Sequence, residues 1–152
     1  MRRIVSLFLS FVLILGILPI VADATEECER QNTITFDDGS YIEIYVNDIS
    51  VRGTNTKNGS KTYYYYDASD NLEWQARLSA SFTYDGTISN CTSASCTVTV
   101  YESKWYEISN YTNHSGNTAT TFLTMGKKLL GVTVSKPEYT ITLTCDKDGN
   151  LS

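Results

Sequence analysis

The sequence predicts an all-β chain folded as a two-layer antiparallel β-sandwich of Ig-like type, with a jelly roll or small closed β-barrel as the competing arrangement of the same strands. Three observations predict it. Apolar residues recur at every second position through most of the chain. Turn pairs rich in Asp, Gly and Asn separate the alternating runs. No amphipathic helix of useful length follows residue 24, and threonine, which suits a pleated surface, is abundant in the runs.

The first element is a leader rather than a strand. Arg2 and Arg3 form a positive start, Ile4 to Leu18 an apolar run, and Ala22-Asp23-Ala24 a small-residue cleavage site. This is the pattern of a secretory signal peptide over residues 1–24, and the run is short for a membrane span of about 20 residues. Residues 25–152 then form a single domain of 128 residues (152 − 24), long enough to bury a core. The expected location is extracellular.

Strand by strand, "TITF" and "YIEIYV" flank the turn "DDGS" and predict a hairpin. Ile42, Ile44 and Val46 share a face, and the parity change to Ile49 predicts a bulge near Asn47-Asp48. "VRGTNTKNGSKT" reads as a polar loop. In "KTYYYYDASD", alternation sends Tyr63 and Tyr65 one way and Tyr64 and Tyr66 the other. "LEWQARLSASFTYDG" is the best strand: Leu72, Trp74, Ala76, Leu78, Ala80, Phe82 and Tyr84 face one side, and Glu73, Gln75 and Arg77 the other. Its length predicts a bend at Ala76 or Ala80, and Asp85-Gly86 ends it. "TVTVY" and "WYEIS" are shorter strands, "TATTFLT" and "LLGVTV" a hairpin turning at "MGKK", and "YTITLTC" the last strand.

Composition narrows the partners. The chain carries a net charge of −5. Residues 25–152 hold 10 basic groups (12 − 2) and 16 acidic ones (17 − 1), a net charge of −6. That sign argues against nucleic acid, and against anionic membrane once the leader is removed. A monomer is expected. Asn58, Asn90, Asn110 and Asn113 each begin an Asn-x-Ser/Thr site.

Catalytic patterns are weak. His114, the single histidine, sits beside Ser115 in a polar stretch with no nucleophile elbow. The acid pairs Asp37/Asp38, Asp67/Asp70 and Glu102/Glu107 fall at turns and strand ends, where acids serve local hydrogen bonding. "DKDGN" begins like a calcium loop but lacks the distant glutamate, and reads more simply as a turn around Gly149. No cofactor, metal or catalytic residue is assigned.

Cys28, Cys91, Cys96 and Cys145 all follow the leader. An even number in an oxidising compartment predicts two disulfides, and the spacing lacks the paired knuckles of a zinc module. Alternation alone favours Cys96 with Cys145, and a Cys91–Cys96 link across "TSAS" is a further option.

"ASFTYDGTISNCTSAS", Trp105, "GNTATTFLT", "LLGVTV" and "ITLTCDKDGNLS" resemble a family of small secreted proteins of gut-associated Gram-positive bacteria (Firmicutes) that has no established activity. The resemblance spans roughly the last two-thirds of the exported chain. It implies the same compartment and fold, and it implies that Cys91 pairs with Cys145, leaving Cys28 with Cys96, two cysteines outside the family pattern.

The functional expectation is therefore a secreted, non-catalytic binding or cell-surface interaction module. Its ligand would be an extracellular glycan or protein met by Tyr63, Tyr64, Tyr65 and Tyr66. Tyrosine gives large contact area at low entropic cost. A secreted toxin-like effector or inhibitor is the alternative, and a small hydrolase a third.

Overall fold

The computed structural model describes residues 25–50 and 55–152. The expected leader, residues 1–24, lies outside them. Nine strands make two packed antiparallel sheets: β1 (Thr25–Thr35), β2 (Tyr41–Ser50), β3 (Thr56–Tyr66), β4 (Leu72–Tyr84), β5 (Ser89–Val100), β6 (Trp105–Ser115), β7 (Thr118–Leu129), β8 (Val132–Ser135) and β9 (Glu138–Thr144). Strands β1 to β5 form the first sheet in chain order. In the second, β7 is central, with β6 on one side and β8 then β9 on the other.

The sandwich is as expected, and no barrel closes. The Ig-like detail is corrected. An immunoglobulin sandwich shares its strands between sheets through Greek-key connections, whereas here the first five strands are one uninterrupted meander. Consecutive strands of this sheet pair antiparallel with one another, so none changes layer.

The core lies between the inner faces. Ile42, Ile44, Val46, Tyr65, Trp74, Ala76, Leu78, Phe82 and Cys91 come from the first sheet. Trp105, Ala119, Leu123, Met125, Ile141, Leu143 and Cys145 come from the second. The edge strand β9 is closed by side chains from the opposite layer. Lys61 donates its ammonium to the Thr142 carbonyl at 3.1 Å, and the Tyr63 phenol reaches the Thr140 carbonyl at 3.5 Å. Those carbonyls would otherwise offer a pairing edge to another chain.

Several element boundaries differ from expectation, each for a local reason. The expected loop "VRGTNTKNGSKT" is strand from Thr56 onward, because its polar residues pair with β4 and Ser60 and Thr62 are buried. The β2 bulge expected at Asn47-Asp48 is absent, since β2 pairs with β3 without interruption there. The irregularity sits on β1 between Arg30 and Asn32. β4 keeps its register at Ala76 and Ala80. It shifts instead beside Tyr66 and between Ser81 and Phe82. "TSAS" and "MGKK" are both strand, and the β7–β8 turn falls at Leu130-Gly131. His114 lies near the end of β6, exposed, and not in a loop.

The "DKDGN" turn recurs as "DASDN". Asp67 and Asp146 each accept the backbone N–H groups two and four residues ahead and the side-chain amide of Asn71 or Asn150. The fourth residue is left-handed in both, Asp70 at φ 65° and Gly149 at φ 87°. The carboxylates are thus consumed by the turn, as the simpler reading of "DKDGN" expected.

Candidate functional site

The four consecutive tyrosines split as strand alternation requires. Tyr63 and Tyr65 point inward, opposite Ile44 and Ile42, and Tyr64 and Tyr66 point outward. The outer pair does not stand alone. β2 brings Tyr41 opposite Tyr66 and Glu43 opposite Tyr64, with Tyr45 one step further along the same face. Tyr41 and Tyr66 stack at 5.0 Å with planes 16° apart, and Tyr45 meets Tyr64 edge-on at 5.5 Å.

Polar anchors hold these rings. The Tyr41 hydroxyl donates to Asp70 Oδ1 at 2.9 Å, and the Tyr45 hydroxyl to Glu43 Oε2 at 3.2 Å. The hydrogen bond to Asp70 pushes the Tyr41 phenol up to about 12, helped by partial burial and by the Asp70 charge. Burial, then the Glu43 bond, raises that of Tyr45. Glu43 also pairs with Arg30 at 2.9 Å, so one carboxylate ties β1 to β2 beneath the aromatic layer. Gln75 and Arg77 extend the face along β4. Four phenols around a carboxylate, an amide and a guanidinium make a surface able to stack and to hydrogen-bond, with its rings already fixed. The sequence singled out Tyr63, Tyr64, Tyr65 and Tyr66 together, and the structure keeps only Tyr64 and Tyr66 on the outer face. No special place fell to Tyr41 and Tyr45, because only pairing in register sets them beside the run.

The inner pair does different work. Tyr65 lies flat on Trp74 at 5.2 Å and 3°, and meets Trp105 edge-on at 5.2 Å. Its hydroxyl donates to Ser40 Oγ at 2.9 Å. Tyr65 and Trp105 floor a cleft of about 790 Å³ at one end of the sandwich, walled by Phe36, Tyr139, Leu129 and Val134. Asp38 and Lys127 stand at it. The Asp38 carboxyl is held below its ordinary range first by its bonds to Ser40, with a lesser contribution from Lys127.

Behind the cleft lies the one acid that alternation misplaced. Glu73 was expected on the solvent side with Gln75. The register shift beside Tyr66 turns it inward instead, leaving it 1% exposed. It accepts the Trp105 indole N–H at 2.5 Å and pairs with the Lys104 ammonium at 2.6 Å. A bulge leaves no trace in polarity alone, so this buried pair was not legible.

The acids considered for catalysis are largely committed to local contacts, Asp38 accepting the hydroxyl and backbone N–H of Ser40. Asp67 is consumed by its turn, Asp70 by Tyr41, and Glu102 and Glu107 are exposed. Among the described residues no three His, Cys, Asp or Glu side chains gather as metal ligands.

The cysteines carry no disulfide in this structure. One expected pair is excluded by topology. Cys28 is on β1 and Cys96 on β5, the two opposite edges of the first sheet. Four strand spacings put them roughly 19 Å apart, against a Cα limit of about 7 Å for a disulfide. They also face opposite ways: Cys96 pairs with buried Leu78, and Cys28 with outward Asn47. Cys91 and Cys145 are both buried at the other end of the core. Their backbone N–H groups bond the adjacent carbonyls of Gly116 and Asn117, which brings the two chains together. Burial raises both thiols, and each lies within electrostatic reach of a charged or ionisable neighbour, Cys145 in the case of Cys91.

No protein-family model, curated protein or solved structure matches the chain.

Proposed function

We propose that the protein is an exported, non-catalytic binding module whose ligand is an extracellular glycan, held on the tyrosine face of the first sheet. The observation that carries the reading is the grouping of Tyr41, Tyr45, Tyr64 and Tyr66 on the solvent side of two neighbouring strands. The core on the other side is complete without them. Four such rings therefore need a reason other than packing.

The chemistry favours sugar. The C–H faces of a pyranose meet the electron-rich face of a phenol ring. Hydroxyls find acceptors and donors in Glu43, Gln75 and Asp70. Because hydrogen bonds and ring contacts fix Tyr41 and Tyr45 beforehand, little side-chain freedom is lost on binding. The net negative charge works against a polyanionic ligand.

Export fits the leader pattern in residues 1–24 and a Cys91–Cys145 disulfide, which would join β5 to the end of β9 and so staple the two sheets. The test is retention of the purified protein on neutral wall polysaccharide and mucin glycans, compared with Tyr64→Ala and Tyr66→Ala. Loss of retention by at least tenfold, with unchanged circular dichroism, supports the reading. Equal retention of all three, or capture by deglycosylated protein alone, overturns it.

A further inference from the structure

The β7–β8 hairpin ends in residues that neither folding nor solubility selects. Leu129, Leu130, Val132 and Val134 are 64%, 97%, 66% and 56% exposed. Leu129 pairs with Val132, so Leu130 and Gly131 are the two central residues of a tight turn, with φ of 50° and 82°. Such a turn favours Asn, Asp or Gly at both positions. A leucine there is disfavoured by its backbone and left in water by its side chain. Among the described residues the other left-handed positions are all Gly or Asp: Gly39, Asp70, Gly86, Gly116 and Gly149.

A second observation is the charge beside the tip. "KKLLGVTVSK", residues 127–136, holds three lysines and no acid in a chain of net −5. Two of these ammonium groups sit over aromatic rings at the hairpin base, Lys127 over Trp105 at 5.4 Å and Lys128 over Tyr106 at 4.5 Å. Tyr106 is in turn bonded to Thr133 at 2.7 Å. Asp38 offsets part of the Lys127 charge and Asp37 lines the same cleft, which leaves Lys128 and Lys136 as the cations at the base of the hairpin. An apolar tip, with lysines and aromatic rings together at its base, matches a bilayer interface in which the acyl boundary gives way to a headgroup level that accommodates both cations and amphipathic rings.

We propose that the β7–β8 hairpin docks the protein onto an anionic lipid surface, with Leu129, Leu130, Val132 and Val134 entering the acyl boundary and Lys128 and Lys136 meeting headgroup phosphates. The hairpin is convex, and a fluid interface closes around a protrusion without a preformed pocket. Insertion is shallow, about 5–10 Å. β8 has only four residues and an unpaired edge, which must remain among the headgroups where its backbone can still hydrogen-bond. The net negative charge does not forbid this, because screening over about 8 Å lets the lipid sense only the nearest charges. The proposal is independent of the tyrosine face.

The test is cosedimentation of the purified protein with phosphatidylcholine vesicles and with vesicles containing one-third phosphatidylglycerol. Binding to the anionic vesicles should exceed that to the zwitterionic ones at least tenfold. The Leu129→Ser/Leu130→Asn double variant should lose at least tenfold of it, and Lys128→Gln/Lys136→Gln a similar amount. Asparagine suits the turn better than leucine, so misfolding does not account for the loss, and glycan retention through the tyrosine face should be unchanged. Absence of wild-type binding, or equal binding by the Leu variant, overturns the proposal. So does saturable capture of the hairpin by a protein partner with none by lipid.

Discussion

The carboxylate of Glu73, on β4, accepts the indole N–H of Trp105, on β6, at 2.5 Å, so a buried hydrogen bond crosses between the two sheets. Lys104, 41% exposed at its side chain, neutralises the same carboxylate from the solvent side. Replacing Glu73 by leucine should cost about 2–4 kcal/mol, because the buried indole N–H is orphaned while Lys104 can swing into water. Glu73→Gln keeps an acceptor and should cost about half as much. Lys104→Met strands a buried charge and should be the more damaging change of that pair. Urea unfolding of the three variants checks the order.

The tyrosine run offers an internal control on packing. Tyr65→Ala removes a ring stacked on Trp74 and should cost about 3–5 kcal/mol. Tyr64→Ala, one residue away, removes only an outward edge contact with Tyr45 and should cost about 1 kcal/mol or less. Thermal melts of the two proteins should separate clearly. Similar losses would mean that the alternation along β3 is misassigned.

Cys91 and Cys145 should be linked in protein recovered from an oxidising compartment. The closed loop spans 54 positions (145 − 91), which corresponds to about 4 kcal/mol of stabilisation through the unfolded chain. Peptide mapping without reduction should find this bridge and no Cys28–Cys96 peptide. In reduced protein, exposed Cys28 should alkylate first, while burial protects Cys91 and Cys145. Equal alkylation rates for all three would contradict the buried placement.

Two turn contacts contribute to the pH limits, alongside the lowered carboxyls of Asp38, Asp85 and Asp146 and the raised phenols of the buried tyrosines. Bonds from Asn71 and Ser69 hold the Asp67 carboxyl down at about 2. Its unfolded value is about 3.9, so its contribution is fully present above that value and is lost as pH falls through 2. Tyr41, pushed up to about 12, works at the other end: its contribution is present below about 10 and lost as pH rises through 12. Asp67→Asn should flatten the acid limb of a melting-temperature profile, and Tyr41→Phe the alkaline limb. An unchanged acid limb in Asp67→Asn would remove that turn as its source.

What the amino-acid order determined by itself is the periodic part of the protein. Alternation placed Ile42, Ile44, Trp74, Leu78, Ile141 and Leu143 on shared apolar faces and parted Tyr63 and Tyr65 from Tyr64 and Tyr66, because a strand's side chains alternate whatever lies beside it; which tyrosine pair faces solvent came from the pairing. The turns at Asp85-Gly86 and Asp146–Asn150 were legible for a similar reason: their carboxylates bind backbone within a few residues. Tertiary structure alone decided the rest. One extra residue opposite Tyr66 reversed the parity of Glu73 and carried it into the core. Cross-strand register put Tyr41 and Tyr45 beside the tyrosine run, and strand order parted Cys28 from Cys96. These are relations between segments distant along the chain, and local periodicity holds no information about which strand will lie next to which.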